Sequence, residues 1–274
     1  MEMVAVQDRR SRRRRSRSGR ESIELHSLSI SSEPSETQPD LTIRLANSAG
    51  QRSKASLLLN RMYSWRGYGH NHALPATPNS VTFTASSQDE VIGTLTLNVD
   101  SPPGGLAADR TFPEEIERFR GAPGAKLCEL AKFAFDSSTP ARPRLAALFH
   151  IIFMYGSMHY DCTDLFIEVN PRHRRFYEVM LGFAPVGKPK TNAIVNAPAQ
   201  LMWLNVNRIR EFIDRHAGDE CETSRSLYSH FFSPQEAEGI YGRLAALGAP
   251  SIAPQQREQR ARPFLISWLH PDRA

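Results

Sequence analysis

One carboxylate in this chain sits where charge is costly. In KLCELAKFAF, residues 126–135, alternation puts Leu127, Glu129, Ala131, Phe133 and Phe135 on one side of an extended chain. Lys126, Cys128, Leu130, Lys132 and Ala134 take the other side. Glu129 therefore interrupts an apolar face, where an ionised acid is expensive unless it is paired or neutralised. Such a carboxyl has a raised pKa and can exchange protons near neutral pH, or it is locked to a lysine or arginine. Two basic groups suit phosphate or an acidic partner. Arg142 and Arg144 open the apolar helical stretch PRLAALFHIIFMYGSMHY, where free helix N–H groups also favour phosphate. Arg172, His173, Arg174 and Arg175 open a second helix and could steer an acidic protein. Both groups also fit solvated helix starts. The nine histidines show no metal-ligand spacing, and no metal is expected. Cys128 reads as a small core residue, with no adjacent histidine to activate it.

The elements that position these residues follow from periodicity and punctuation. LTIRLA from Leu41 reads as a strand, AGQRSKASLLLNRMYSWRGY as a helix entering a loop, and SVTFTAS with EVIGTLTLNVD as a strand pair. FPEEIERFR has a first-turn proline and following acids, a helix start. The Glu129 strand follows, then the helix over 143–160 with Leu145, Leu148, Phe149, Ile152 and Phe153 at helical spacing. DLFIEVN reads as a buried strand, and PRHRRFYEVMLGF as a helix stopped at Gly182. QLMWLNVN is a late strand, NRIREFIDRH a helix, and a last helix runs from about Pro234 to Leu247. This alternation predicts an α/β fold with helices on both faces of the sheet, and a parallel crossover from 126–136 through 143–160 to 164–170.

Charge and cysteines narrow the classes. Of the 274 residues, 40% are hydrophobic, enough for a real core. The net charge of +5 is local: residues 8–20 hold eight Arg and one Asp, a charge of +7, which leaves the remainder at −2. A near-neutral body argues against a nucleic-acid-binding domain. Residues 1–40 read as a disordered Arg/Ser-rich tail with at most weak attraction to an anionic membrane surface. Residues 41–217 read as the main domain and 218–274 as a helical C-terminal extension. No apolar run is long enough for a transmembrane segment. Three widely spaced cysteines give no disulfide framework, which points to a reducing, cytoplasmic location.

IEVNPRHRRFYEVMLGF, residues 167–183, resembles the last motif of the GCN5-related N-acetyltransferase (GNAT) superfamily. With YSWRGYG at 63–69, residues 91–120, LCELAKFAFD at 127–136 and NAPAQLMWLNV at 196–206, the chain over about 41–207 resembles the N-acyl amino acid synthase (FeeM-type) family. That family is bacterial and related to the acyl-homoserine lactone synthases. The resemblance implies a GNAT-like, mixed, mostly antiparallel sheet with one parallel crossover. It implies transfer of a long acyl chain from the phosphopantetheine thioester of an acyl carrier protein to the α-amine of an amino acid, with no tightly bound cofactor. Glu129 takes the place of the acid in the lactone synthases' Trp-Glu-Ser-Arg-Phe block and would deprotonate the amine, or bind its ammonium. Tyr177 takes the place of a tyrosine that protonates the leaving thiolate, or packs in the core. Arg66, Tyr68, Asp109 and Phe133 would border the substrate, and Asp109 could instead order its loop. Where acetyltransferases have a Gly-rich pyrophosphate loop, this chain has no glycine between Asp136 and Gly156. That favours the single phosphate of phosphopantetheine over coenzyme A, with Arg142 and Arg144 beside it. Lactone synthesis stays open as a second reading, weakened by Ala131-Lys132-Phe133 in place of Ser-Arg-Phe. A non-catalytic protein that binds acyl chains or carrier protein is a third.

Overall fold

The computed structural model describes residues 24–28, 41–102, 104–136, 142–218 and 225–247. Among the described residues, eight strands form one sheet: β1 (Glu24–Leu28), β2 (Leu41–Leu45), β3 (Ser80–Ser87), β4 (Glu90–Val99), β5 (Leu127–Phe135), β6 (Asp164–Val169), β7 (Ala184–Asn192) and β8 (Ala197–Asn205). Their order is β1-β2-β3-β4-β5-β6-β8-β7. Every neighbouring pair is antiparallel except β5–β6, which is parallel. The link between those two is α3 (Arg142–Tyr160), long enough to carry the chain back across the sheet. The mixed sheet with one parallel crossover is thus the one expected.

Local chemistry explains the helix ends. The Ser48 hydroxyl accepts from Gln51 N–H and caps α1 (Ala49–Trp65). α2 (Pro113–Arg120) has proline in its first turn, then Glu114 and Glu115, and ends on Arg118 and Arg120, signs that complement the helix dipole. α4 (Arg174–Leu181) stops at Gly182, whose φ of 79° is left-handed. α5 (Val206–His216) is capped by Asn205, and α6 (Pro234–Ala246) by a reciprocal Ser233–Glu236 capping box.

Both faces of the sheet are covered. On one, Ala55, Leu58, Leu59 and Met62 of α1 pack against Val91 and Ala134, while Phe112 and Ile116 pack against Leu127, Phe166 and Leu201. On the other, α3 dominates the main core, joined by Tyr177, Met180 and Leu181 of α4 and Ile209 of α5. Leu227, Tyr228, Phe231, Phe232, Ile240 and Leu244 belong to this same core, so the stretch after α5 is no loose appendage. Its anchor is His150 on α3, wholly buried: the Nδ1 atom accepts from Phe232 N–H at 3.0 Å, and Phe231 stacks on the ring at 4.5 Å. Burial lowers the imidazole pKa to about 3, so it is neutral.

Three sequence expectations change. Residues 24–28, read within the disordered tail, form the edge strand β1. β7, Ala-Pro-Val-Gly-Lys-Pro-Lys-Thr-Asn, is a strand the sequence reading did not assign; with a glycine and two prolines it survives as the other edge, with a bulge between Val186 and Lys190. In β5 the strict alternation fails. Lys132 has φ of 52°, and the β4–β5 register slips between Thr94/Ala134 and Thr96/Ala131. This bulge swaps the faces beyond it, as an extra residue must. Phe133 and Phe135 join Cys128 and Leu130 in the α3-side core, and Ala134 packs under α1 on the opposite side. Residues 1–23, 137–141 and 248–274, with the basic tail and part of the loop before α3, lie outside the described residues.

Candidate active site

β5 and β6 pair in register from Leu127↔Asp164 to Leu130↔Ile167, and no further. Beyond Leu130, β5 runs on to Phe135 along β4 while β6 runs on to Val169 along β8. The sheet therefore opens into a wedge, with the Lys132 bulge on its β5 wall. Glu129 stands just before the opening.

Glu129 is 2% exposed. Its Oε2 accepts from Ala107 N–H at 2.8 Å, and Ala108 N–H and the cross-strand Asn98 amide add hydrogen bonds. All of these donors are neutral. Among the described residues no ion pair reaches Glu129, so the buried ion pair left open by the sequence is not formed. Lys132 is felt at Coulomb range, and burial lowers its own pKa. Desolvation is the largest influence on Glu129; with the nearby Glu168 charge it outweighs the hydrogen bonds and raises the carboxyl pKa to about 7. This is a carboxyl poised to take or give a proton at neutral pH.

Asp109 lies in the 3-10 turn Ala107–Arg110 that covers Glu129. Its Oδ2 accepts from Leu106 N–H at 2.7 Å and pairs with Arg120 at 2.8 Å, while Arg120 also holds Asp100. These contacts order the turn that delivers the Ala107 N–H. Tyr177 on α4 is buried beside Phe176, at 5.1 Å between rings, and Phe183, at 6.1 Å. Burial, reinforced by Tyr63, pushes its phenol well above the ordinary range, so it keeps its proton. Arg66, at the end of α1, donates to Met62 O at 2.9 Å and stacks over Trp65. Tyr68 packs edge-on against Tyr63 at 5.8 Å, and its hydroxyl accepts from Arg172 at 3.2 Å. That contact joins two segments the sequence reading kept apart. Phe133 is half-buried against Phe149, 5.6 Å between rings, on the α3 side of the sheet rather than beside Glu129.

The basic residues divide. Arg172, His173, Arg174 and Arg175 are all exposed; Arg174 and Arg175 both pair with Glu178. Arg142 is exposed at the start of α3. Arg144, half-buried one residue into the same turn's second step, has its Nε and Nη1 atoms buried, and no described residue bonds them. Such orphaned donors at a helix N-terminus fit an anionic ligand. No group of three or more His, Cys, Asp or Glu among the described residues could hold a metal ion.

Two residues escaped the sequence reading. Tyr63 sits among Tyr68, His72 and Arg66, its phenol pushed up to about 12 mainly by burial. Glu168, on β6, accepts from Asn192 at 2.5 Å and from Thr111 at 3.5 Å, and burial raises its pKa. A carboxylate inside the buried-looking DLFIEVN was the same signal that singled out Glu129, and it could have found this one.

The mixed sheet with its single parallel pair and the wedge where that pair parts define a GNAT-like α/β fold. The sequence profile of the family described as "N-acyl amino acid synthase FeeM" matches residues 54–205, more than half of the chain, and the chain belongs to that family. Among solved structures, FeeM, an N-acyl amino acid synthase from uncultured soil microbes, is 28% identical, with a TM-score of 0.58 over 64% of this chain and 96% of that one. The AHL synthase LasI is 13% identical, with a TM-score of 0.46 over 61% and 90% of the two chains. A probable acetyltransferase from Staphylococcus epidermidis is 15% identical, with a TM-score of 0.44 over 60% and 98%. No curated protein sequence matches the chain.

Proposed function

We propose that this acyltransferase moves a long-chain acyl group from the phosphopantetheine thioester of an acyl carrier protein to the α-amine of an amino acid. One observation carries the reading: a buried carboxyl, held by neutral donors and without an ion pair among the described residues, stands where the β5–β6 pairing ends. A free α-ammonium carries its extra proton near neutral pH and cannot attack until it loses it. Glu129 takes that proton through an intervening water, because its own carboxyl is covered by the Ala107–Arg110 turn. The amine nitrogen then bonds to the thioester carbonyl carbon. Asp136 N–H is already committed to Ile92 O at 2.7 Å, so the developing oxyanion is left to the N–H groups of β5 before it, which face no β6 partner. The C–S bond breaks as the carbonyl re-forms. The thiolate receives a proton from Tyr177 or from solvent, the second amine proton leaves to solvent, and proton exchange with solvent resets Glu129 and Tyr177.

The start of α3 supports a carrier-protein donor. Arg144 presents two unpartnered buried N–H groups, enough for one phosphate, in a chain without a glycine-rich pyrophosphate loop. Arg142 and the exposed group Arg172 to Arg175 supply the basic surface that an acidic carrier protein requires. Expression in a bacterial host, with mass spectrometry of the lipid extract, tests the whole reading. New N-acyl amino acids should appear with the wild type and fall about 100-fold or more with Glu129→Gln, the scale of a lost general base. A wild-type extract indistinguishable from the empty-vector control would end it.

A further inference from the structure

Glu168 is a carboxylate beside the wedge that the reaction above does not use. We propose that it anchors the ammonium end of the acceptor; this rests on the acyl-transfer reading and names how the amine is recognised. Parallel pairing sets Glu129 opposite Phe166, so Glu168, two residues further along β6, shares their face of the sheet. It stands one position past the last paired residue, Ile167, where β5 has left β6. Glu129 and Glu168 thus border the opening from its two strands.

The contacts of Glu168 are one-sided. Asn192 Nδ2 and Thr111 Oγ1 both reach Oε1, and among the described residues no hydrogen bond or ion pair reaches Oε2. Neither donor is charged. A half-buried carboxylate with one oxygen fixed and the other free lacks a cation, which an ammonium supplies with three donors. Asn192 ends β7 and Thr111 follows the 3-10 turn, so both hold the carboxylate in orientation. Arg66 and Glu168 both act on the Tyr63 phenol, with opposite charges. An α-amino acid carries the same two signs on one carbon. Two carboxylates then divide the work: Glu168 binds the ammonium, and Glu129 takes its proton.

The test uses the full chain with palmitoyl carrier protein and palmitoyl-CoA as donors and the twenty L-amino acids as acceptors; the best acceptor is carried into kinetics. Glu168→Gln should raise the acceptor KM about tenfold or more, with kcat within about threefold and the donor KM unchanged. Glu168→Asp should recover part of the loss, and melting curves should show that both variants fold. An unchanged acceptor KM, or a kcat loss at constant KM, would overturn the assignment. A binding arm needs no turnover: saturation-transfer NMR of the amino acids against their 2-hydroxy counterparts. Wild type should prefer the amines and Glu168→Gln should lose that preference. Selective binding without product would sink the acyl-transfer reading and leave Glu168 standing; equal binding of amines and hydroxy acids would sink the ammonium site.

Discussion

Under the proposed mechanism, Glu129 couples catalysis and stability through one proton. Its carboxyl pKa, raised to about 7 by burial, lies above the 4.5 of an ordinary glutamate. The folded state therefore binds this proton more tightly than the unfolded chain. The stability it contributes is full below pH 4.5 and is lost as pH rises through 7, at about 1.4 kcal/mol per unit across that window. Activity runs the other way, because a base must be ionised. kcat/KM should rise with pH through an apparent pKa near 7. Melting temperature should fall over the same range in wild type and much less in Glu129→Gln, which has no proton to lose. A flat wild-type rate profile between pH 5.5 and 8.5, or parallel melting profiles for the two proteins, would contradict this assignment. Glu168 and Arg144 are likewise partly buried with no described ion pair, and under the proposed function each awaits an opposite charge rather than a proton.

At the scale of elements, the site depends on two interruptions of regular structure. The Lys132 bulge reverses the faces of β5, which sends Phe133 and Phe135 toward α3 and leaves Glu129 under the 3-10 turn. The end of β5–β6 pairing then opens the sheet next to it. α4 carries Tyr177, and Gly182 fixes where α4 stops. At φ of 79° a side chain is strained, and a Cβ there would meet the Phe212 ring at 3.0 Å. Gly182→Ala should cost about 1–2 kcal/mol, which urea unfolding would resolve as a lower midpoint at unchanged slope. An unaltered midpoint would mean that the turn relaxes and does not set the helix end.

Over the whole molecule, the segment after α5 completes the main core. A chain ending at Ala217 would lose Leu227, Phe231, Phe232, Ile240 and Leu244, each buried at about 1.5–3 kcal/mol. That total is comparable to the entire stability of a domain, about 5–15 kcal/mol. The truncated chain should not fold, as judged by soluble yield and loss of a cooperative melt; a well-folded 1–217 fragment would refute this. The matched family segment ends at 205, so this part of the core lies outside the matched segment. Much was legible from the sequence: the order of helices and most strands, the Gly182 stop, the α3 crossover, and Glu129 as the residue to explain. These are local, since caps, turn residues and hydrophobic period act over a few neighbours. The edge strands β1 and β7 escaped notice because their pairing partners, not their composition, make them strands. The bulge, the neutral donors around Glu129, the second carboxylate at the wedge and the role of His150 were decided only by tertiary structure. Each depends on which residues meet across distant segments, and burial, the force that raises Glu129 and silences His150, belongs to the packed chain rather than to any stretch of it.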